Sequence, residues 1–284
     1  MAWTSALNKV VSDRIQIGMT EFSKFPFLAN TVYSDILGSA DEVSIVNVGA
    51  VSVATYVPGT DMADGTPAPT ATTLKCDQYR SWNFTLDDTV KLVGDTAVQL
   101  ANKHARTAAL AADKYVLGLA TKANFPTNWY AGSADAAIEV NSSIILDVIE
   151  ELAKNMKNND VPIGMGFVCL TSGMHTMVLR ALRKSGLPLA EVSSAMFQGT
   201  VLRFAGLDIV QSNQYVETTA STKDFKILYG TVDAIAAASR SPTVESARKE
   251  KQFATYLKGL IQFGAKVTQE ELGGAAYLKE VAES

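Results

Sequence analysis

Metal ligands and reactive side chains are scarce in this sequence. Among 284 residues there are two cysteines, Cys76 and Cys169, and two histidines, His104 and His175. Neither type shows the His-x-x-x-His or Cys-x-x-Cys spacing that holds a transition metal, and two distant cysteines make no disulfide framework. We therefore expect no metal site, no cofactor and a protein of a reducing compartment.

Long apolar runs and an excess of positive charge are also absent. The opening MAWTSALNKVVSDRIQ lacks the apolar core of a signal peptide, and no run reaches transmembrane length. The net charge of −4 argues against a dedicated DNA-reading protein, which is normally basic. Apolar residues make up 47% of the chain and charged residues 19%, which is typical of globular proteins. We expect a soluble chain of the cytosolic type without membrane contacts.

The best candidate for catalysis is the segment CLTSGMH, residues 169–175, where a predicted strand turns into a helix. A nucleophile elbow needs glycine two residues before its serine, and Leu170 occupies that position. Ser172 is more simply a helix N-cap, with His175 one turn further on. We predict that this segment caps and packs, and that the protein is not an enzyme.

Other binding motifs are incomplete. Residues 61–65, DMADG, resemble part of a calcium loop but lack the third acidic ligand and the closing glutamate, so they indicate a turn. The GMG at 164–166 precedes a strand and cannot present a helix N-terminus to phosphate. His104, between Lys103 and Arg106, is predicted to be solvated or at an interface. The mixed charges of residues 240–251 are typical of a solvated face that could also pair across an interface.

The sequence does contain an unusually long predicted hairpin. Strand-like runs at residues 51–57 and 78–86 flank a stretch rich in proline, glycine and aspartate. Hairpin loops usually have about two to five residues, and longer ones are functional or disordered. In the second run Trp82 and Phe84 face one side while Tyr79 faces the other. Because both faces carry apolar groups, we expect a partner to cover the ribbon.

A long helix is predicted next, from about residue 88 to 123, because apolar residues recur at steps of three and four. Asp87 or Asp88 would supply the N-cap, and the NFP at 124–126 would stop the helix. Such a helix is a rod on the order of 50 Å long. A two-stranded coiled coil remains an alternative for its single apolar seam. Before the hairpin, we expect an arm with a short helix near residues 5–11, ordered only against partners.

The second half alternates between helices and strands. We predict one helix capped by Asn141 or Ser142 and another capped by Ser172. The predicted strands are residues 166–170, 207–210 and 225–229. Alternation from Leu257 to Val267 predicts a long, half-buried antiparallel strand.

Several segments in this order resemble the major capsid proteins of tailed bacteriophages, which have the Hong Kong 97 type fold. The segments that carry the resemblance are VPIGMGFVCLTS at 161–172, GTVLRFAGLDIVQSN at 199–213, DAIA at 233–236, VESAR at 244–248 and GLIQFGAKV at 259–267. Each motif alone has low specificity, and the resemblance rests on their order over residues 30–280.

The resemblance implies an α+β fold with five parts. These are an N-terminal arm at 1–42, an extended β-hairpin called the E-loop at 43–86, and the spine helix of a P-domain at 87–124. An α/β A-domain occupies mainly 125–238, and closing strands at 239–284 return to the P-domain. In this family the E-loop lies over a neighbouring subunit and the A-domains meet around the symmetry axis. The predicted hairpin would then be long because it has to reach over a neighbouring subunit.

The resemblance also implies the function and the partners. Copies of the chain would assemble as hexamers and pentamers into the icosahedral shell of the virion. The shell would enclose double-stranded DNA and contact it only weakly and without sequence specificity. Because only about 40 residues precede the hairpin, we expect a separate scaffolding protein, with a portal and decoration proteins as further partners. The hairpin's only lysine, Lys75, lies off the tip, which disfavours the covalent crosslink of some relatives. An encapsulin-like nanocompartment and an α/β enzyme remain the alternatives.

Overall fold

The computed structural model describes residues 12–17, 23–38, 40–48, 55, 58–59, 69–87, 96–126, 129–130, 137–161, 166–184, 202–214, 217–219 and 222–281. The helices in these ranges are α1 (12–17), α2 (Phe25–Leu28), α3 (Ser34–Leu37), α4 (Thr96–Gly118), α5 (Ile145–Asn158) and α6 (Ser172–Lys184). None of these helices is long and apolar enough to cross a membrane.

Strands in the same ranges form three sheets. They are β1 (Glu42–Val48), β2 (Pro69–Lys75), β3 (Gln78–Asp87), β4 (Trp129–Tyr130), β5 (Ile138–Val140), β6 (Gly166–Leu170), β7 (Leu202–Phe204), β8 (Leu207–Gln211), β9 (Glu217–Thr219), β10 (Thr222–Thr231), β11 (Ile235–Ser239), β12 (Thr243–Arg248), β13 (Ala254–Val267) and β14 (Gly273–Glu280).

The largest sheet has eight strands in the order β4-β14-β10-β6-β8-β7, with β5 beside β14 and β9 beside β10. Its central strand β6 is buried along its whole length and pairs in parallel with β8, as expected for an apolar run covered on both faces. The three strands predicted at 166–170, 207–210 and 225–229 are confirmed as β6, β8 and part of β10. Helices α5 and α6 contact each other beside this sheet.

The cap of α6 differs from the prediction. The N–H of Met174 donates to Thr171 Oγ1 at 3.1 Å, so Thr171 is the cap and the prediction for Ser172 is wrong. At α5 the residue before the helix is Ile144, which makes no side-chain cap, so the prediction of Asn141 or Ser142 as the cap is wrong. The Asn141 side-chain oxygen instead accepts from the N–H groups of Ser143 and Ile144 at 2.9 and 3.2 Å in the preceding turn. The predicted apolar face of α5 is buried, from Ile145 to Met156.

The second sheet is built around β13. Strand β3 pairs with residues 254–263 of β13, β12 pairs with residues 255–260, and β11 pairs with residues 263–267, all antiparallel. Leu257, Ile261 and Phe263 are buried, whereas Lys258 and Lys266 are exposed. The long half-buried strand predicted from the alternation of this segment is therefore confirmed.

The predicted strand pairing of the hairpin is wrong. Strand β1 pairs with β2, and the run at 78–86 belongs instead to β3 in the sheet of β13. The ribbon ends at Lys75, and after Cys76 and Asp77 the chain enters the other sheet. Trp82 and Phe84 then pack against the main core of the same chain, so no partner is needed to cover them. The run predicted at 51–57 lies outside the described residues apart from Thr55.

The long helix is confirmed from Thr96 to Gly118, and its predicted first turns lie outside the described residues. It ends before the predicted residue 123, and Asn124 Nδ2 donates to the carbonyl of Leu119 at 2.8 Å in the turn that follows. Asp87 cannot be the N-cap, because it pairs with Ala254 in the sheet. The buried seam of α4 packs against strands of its own chain, which contradicts the coiled-coil alternative.

The N-terminal arm is ordered within the chain over residues 23–38. Leu28 and Leu37 are fully buried, and Asn30 forms a parallel bridge with Ala236. The expectation that the arm orders only against partners is therefore wrong for this segment, because its apolar side chains find a core in their own chain. The helix predicted at 5–11 lies outside the described residues.

Candidate intersubunit surface

The hairpin of β1 and β2 is a two-stranded sheet separate from the other two. Seven residue pairs form it, from Glu42 opposite Lys75 at the root to Val48 opposite Pro69 at the far end. Leu74 is buried, but the first three residues of β2 are exposed. Near the far end Asn47 Nδ2 donates to the carbonyl of Thr268 at 3.3 Å, whereas Val46 in β1 leaves 62% of its surface in contact with solvent.

A small second core holds the root of this hairpin. It consists of Leu37 from α3, Leu74 and Cys76 from the end of the ribbon, and Ala236 and Ala238 from β11. The thiol of Cys76 lies 3.8 Å from the carbonyl oxygen of Ala238, and burial raises the pKa of this thiol. Because the core joins three elements, the root is fixed relative to the sheet of β13.

Arg240 ties the same root by a fork of hydrogen bonds. Its Nε donates to the carbonyl of Leu37 at 2.8 Å, and its Nη2 donates to the carbonyl of Ala40 and to Asp41. Its Nη1 donates to Gln262 Oε1 in β13 at 3.1 Å. The sequence predicted only a solvated or interface charge here. The planar guanidinium is suited to this fork because its donors point in fixed directions.

Asp113 of α4 holds the arm, a role that was not predicted from the sequence. This carboxylate is 1% exposed and accepts hydrogen bonds from Ser23 Oγ at 2.7 Å and from the N–H of Lys24 at 3.0 Å. A buried carboxylate has to be satisfied by donors, and here the donors come from the chain just before α2. The sequence did contain a sign of this role, because Asp113 lies beside Ala112 and close to Val116, which belong to the apolar seam of the helix.

An aromatic stack joins β3 to α4. The ring of His104 lies 5.1 Å from that of Trp82 and 5.6 Å from that of Phe84, with both pairs nearly parallel. Trp82 also covers Gly259 of β13, where an added Cβ would come within 2.3 Å of the indole ring. Burial lowers the pKa of His104. His104 is therefore half-buried in an intrachain stack, which corrects the prediction of a solvated or interface residue.

Cations lie on the exposed side of α4. Lys103, Arg106 and Lys114 are exposed, as is Lys122 beyond the end of the helix. Asp113, the acidic residue near them in sequence, is buried against the arm. The described surface of this rod is consequently more cationic than its sequence suggests.

The residues considered for catalysis make capping and packing contacts. Cys169 is fully buried in β6, and burial lowers the pKa of His175. The N–H of Ser172 donates to Asn213 Oδ1 at 3.2 Å, and the hydroxyl group of Thr171 donates a hydrogen bond to Glu280 Oε1. These contacts satisfy the start of α6 and join it to β14 and to the loop after β8.

The remaining binding motifs fall partly outside the described residues. Within the ranges described by the structure, no group of three or more His, Cys, Asp or Glu side chains is placed to hold a metal ion. The predicted turn at 61–65 and Gly164 lie outside those ranges, and Gly166 opens β6. Lys75 pairs with Glu42 at 2.5 Å at the root of the hairpin, far from its tip.

Comparison with known proteins gives structural matches only. No protein-family model and no curated protein matches the sequence. A chain of the Mycobacterium phage Che8 structure is 23% identical, with a TM-score of 0.66 over 91% of this chain and 90% of that one. A chain in the capsid structure of the Cyanophage P-SCSP1u is 15% identical, with a TM-score of 0.62 over 90% and 86%.

A third match is a chain of the satellite phage P4 procapsid including the size determination (Sid) protein, with 10% identity, a TM-score of 0.55 and coverage of 95% and 91%. At these identities the matches establish the fold. The chain has the mixed α+β fold of chains in phage capsid structures, and the fold implied by the sequence resemblance is confirmed at this level.

Proposed function

We propose that this chain is a major capsid protein that assembles as hexamers and pentamers into the icosahedral shell around a phage DNA genome. The observation that carries the proposal is the likeness to phage capsid chains over about nine-tenths of both partners. A structural, non-enzymatic role accords with the capping and packing contacts around Ser172 and His175.

The five predicted parts of the chain remain our assignment. The E-loop is the ribbon of β1 and β2 with residues 49–68 between them, narrower than the predicted 43–86 because β3 belongs elsewhere. The spine is α4 and the P-domain sheet is that of β13. The eight-stranded sheet with α5 and α6 is the A-domain. It includes β14, whereas β11 lies in the sheet of β13, so the predicted boundaries at 238 and 284 shift: the closing strands in the P-domain are β11, β12 and β13. A ribbon that is fixed at its root and exposed at its far end suits a contact with a neighbouring copy.

The other partners follow from the same proposal. The likeness to a procapsid that includes a Sid protein supports assembly with a separate scaffolding protein. A portal and decoration proteins are further proposed partners, and the mature location is the virion. Packaged DNA would meet exposed cations such as Lys103 and Arg106 through unspecific phosphate contacts that weaken as salt rises.

Assembly of the purified protein tests this proposal. We expect the full chain, expressed with its scaffolding protein where one is encoded, to elute as rings or megadalton particles and to show closed shells in negative-stain electron micrographs. A small oligomer at every concentration and salt tested would contradict it. Nuclease-protected DNA inside particles from phage-producing cells separates a virion shell from an encapsulin-like compartment, which would hold a protein cargo.

A further inference from the structure

The turn between β12 and β13 exposes a large aromatic side chain. Phe253 has 82% of its surface exposed, more than any other large apolar side chain in the described part of the chain. Next to it in sequence, Arg248, Lys249 and Lys251 against Glu250 give a local excess of two positive charges. Aromatic residues are enriched in the cores of protein interfaces, and polar residues surround them at the rim. The turn therefore combines an apolar anchor with cations.

A groove of about 610 Å³ lies at the other end of β13. Its lining includes the apolar residues Val267 and Leu272, both half-buried, and the acidic residues Glu270 and Glu271, both exposed. The groove is large enough for a phenyl ring, and its acidic side chains complement a basic turn. Lys75 lines the adjoining depression and is already paired with Glu42.

The anchor and the groove cannot meet within one chain. Phe253 precedes the first residue of β13, and the groove is lined by Val267, its last residue. A strand of 14 residues spans about 45 Å at the usual rise of about 3.4 Å per residue. Each copy thus offers an anchor at one end of β13 and a complementary groove at the other. Contacts between unlike patches generate rings or continued assemblies.

We infer that residues 249–253 of one copy dock into the groove at Glu270 and Glu271 of a neighbouring copy, with Phe253 against Val267 and Leu272. The inference rests on the proposed shell function and places the contact beside the hairpin, whose residues Asn47, Thr70 and Thr72 line the same groove. Lys251 faces Glu271 across this interface, and the charge pair fixes the orientation of the anchor.

A charge swap between copies tests the contact. We expect Lys251→Glu and Glu271→Lys each to lower the yield of particles by about tenfold or more, because like charges then face each other at every contact. When the two purified variants are mixed, a turn carrying glutamate meets a groove carrying lysine, and the reverse contact is native. Mixing should restore particles in which both variants are present, measured by sedimentation and by mass spectrometry of the particle fraction.

Recovery on mixing separates this contact from a folding defect, because each chain keeps its own substitution throughout. Phe253→Ser should also lower the particle yield while leaving the unfolding temperature within about 2 °C of wild type, since an exposed residue contributes little to folding. Particles from Lys251→Glu alone at the wild-type yield would overturn the inference.

Glu150→Lys is the matched control, because Glu150 is exposed in the acidic stretch of α5. Because it keeps both Lys251 and Glu271, Glu150→Lys alone should assemble at the wild-type yield, and in its mixture with Lys251→Glu the latter should stay out of the particle fraction. Incorporation of Lys251→Glu to the level reached with Glu271→Lys would place the acceptor on α5 and overturn the groove. If wild type itself fails to form particles, the proposed shell function fails; if wild type and all variants assemble equally, the shell function stands and the docking inference fails.

Discussion

Gly264 lies against the carbonyl group of Lys75. A Cβ added to Gly264 would come within 1.9 Å of that oxygen and 2.8 Å of the carbonyl carbon. Lys75 is the last residue of the hairpin, and Gly264 lies in β13, so the ribbon crosses the sheet at a point where no side chain fits. This crossing connects the hairpin with the sheet that supports it.

Gly264→Ala should therefore destabilise the protein strongly. The added methyl group meets backbone rather than a mobile side chain, so we expect a loss of about 3 kcal/mol in the free energy of unfolding, at the upper end of overpacking effects. Gly118→Ala is the control, because a Cβ added to that helical glycine would point into open space. It should be neutral or stabilising by up to about 1 kcal/mol. Equal denaturation midpoints for the two variants would refute this.

Arg240→Lys should loosen the root of the hairpin. Lysine cannot reproduce a fork to Leu37, Ala40 and Gln262, and the carbonyl groups left without donors should cost about 1–3 kcal/mol. Amide hydrogen exchange should accelerate in β1 more than in β10. Arg203→Lys, at an exposed pair with Asp208, should change stability by less than about 0.5 kcal/mol. Unchanged exchange in β1 would show that the small core alone holds the root.

Replacing residues 49–68 by Asn-Gly should abolish shell formation without unfolding the subunit. Val48 and Pro69 are paired in register, so a two-residue turn can join them. The second core and the contacts of Arg240 remain, and the unfolding midpoint should stay near that of wild type. Closed particles of normal size from this variant, seen by electron microscopy, would remove the intersubunit role of the hairpin.

Leucine at the small buried positions of α4 should overpack the core. Ala108 is 6% exposed and Ala112 is 3% exposed, so Ala108→Leu or Ala112→Leu should cost about 1–3 kcal/mol in chemical denaturation. Lys114→Leu on the exposed side of the same helix is the control and should change stability by less than about 0.5 kcal/mol. Wild-type stability in both Ala108→Leu and Ala112→Leu would mean that this seam rearranges to fit larger side chains.

Stability should fall as the pH drops below 6.5. Burial lowers the pKa of His104 and of His175 below their ordinary value of 6.5, so the unfolded chain takes up protons first. This stability is fully present above pH 6.5 and is lost as the pH falls through the folded pKa values. In His104→Phe, which keeps a ring in the stack, the fall should be smaller. His175→Gln should remove the part of the stability loss that comes from His175. If both variants kept the wild-type dependence of stability on pH, the two histidines would not be its cause.

Elements that carry their own pattern were predicted well from the sequence. The apolar face of α5 and the alternation of β13 each specify an element by period, and the short apolar run of β6 specifies a buried strand by its length. The pairing of β3 was missed because a hydrophobic period identifies a strand without identifying the strand beside it. A strand with Trp82 and Phe84 on one side indicates a buried face, but nothing in its period says which strand borders it.

Groups that act between distant segments were also missed. Asp113 and Arg240 stabilise the fold through donors and acceptors about 90 and 200 residues away, and residue type alone does not reveal such partners. The choice between Thr171 and Ser172 as the cap of α6 depends on where the helix begins, to within one residue. The candidate intersubunit surface could be predicted only as an extended hairpin, since its root depends on these contacts.

The pairing of β3 with β13 also bears on how the protein is made. Residues of β3 pair with partners about 170 or more positions later in the chain, which a ribosome adding about 5–20 residues per second reaches only after roughly 10–30 s. Until then the second sheet cannot close, and the root of the hairpin lacks both Gln262 and the crossing at Gly264. A nascent chain would thus support the hairpin that we propose as a contact surface only after residue 264 of β13 has been added.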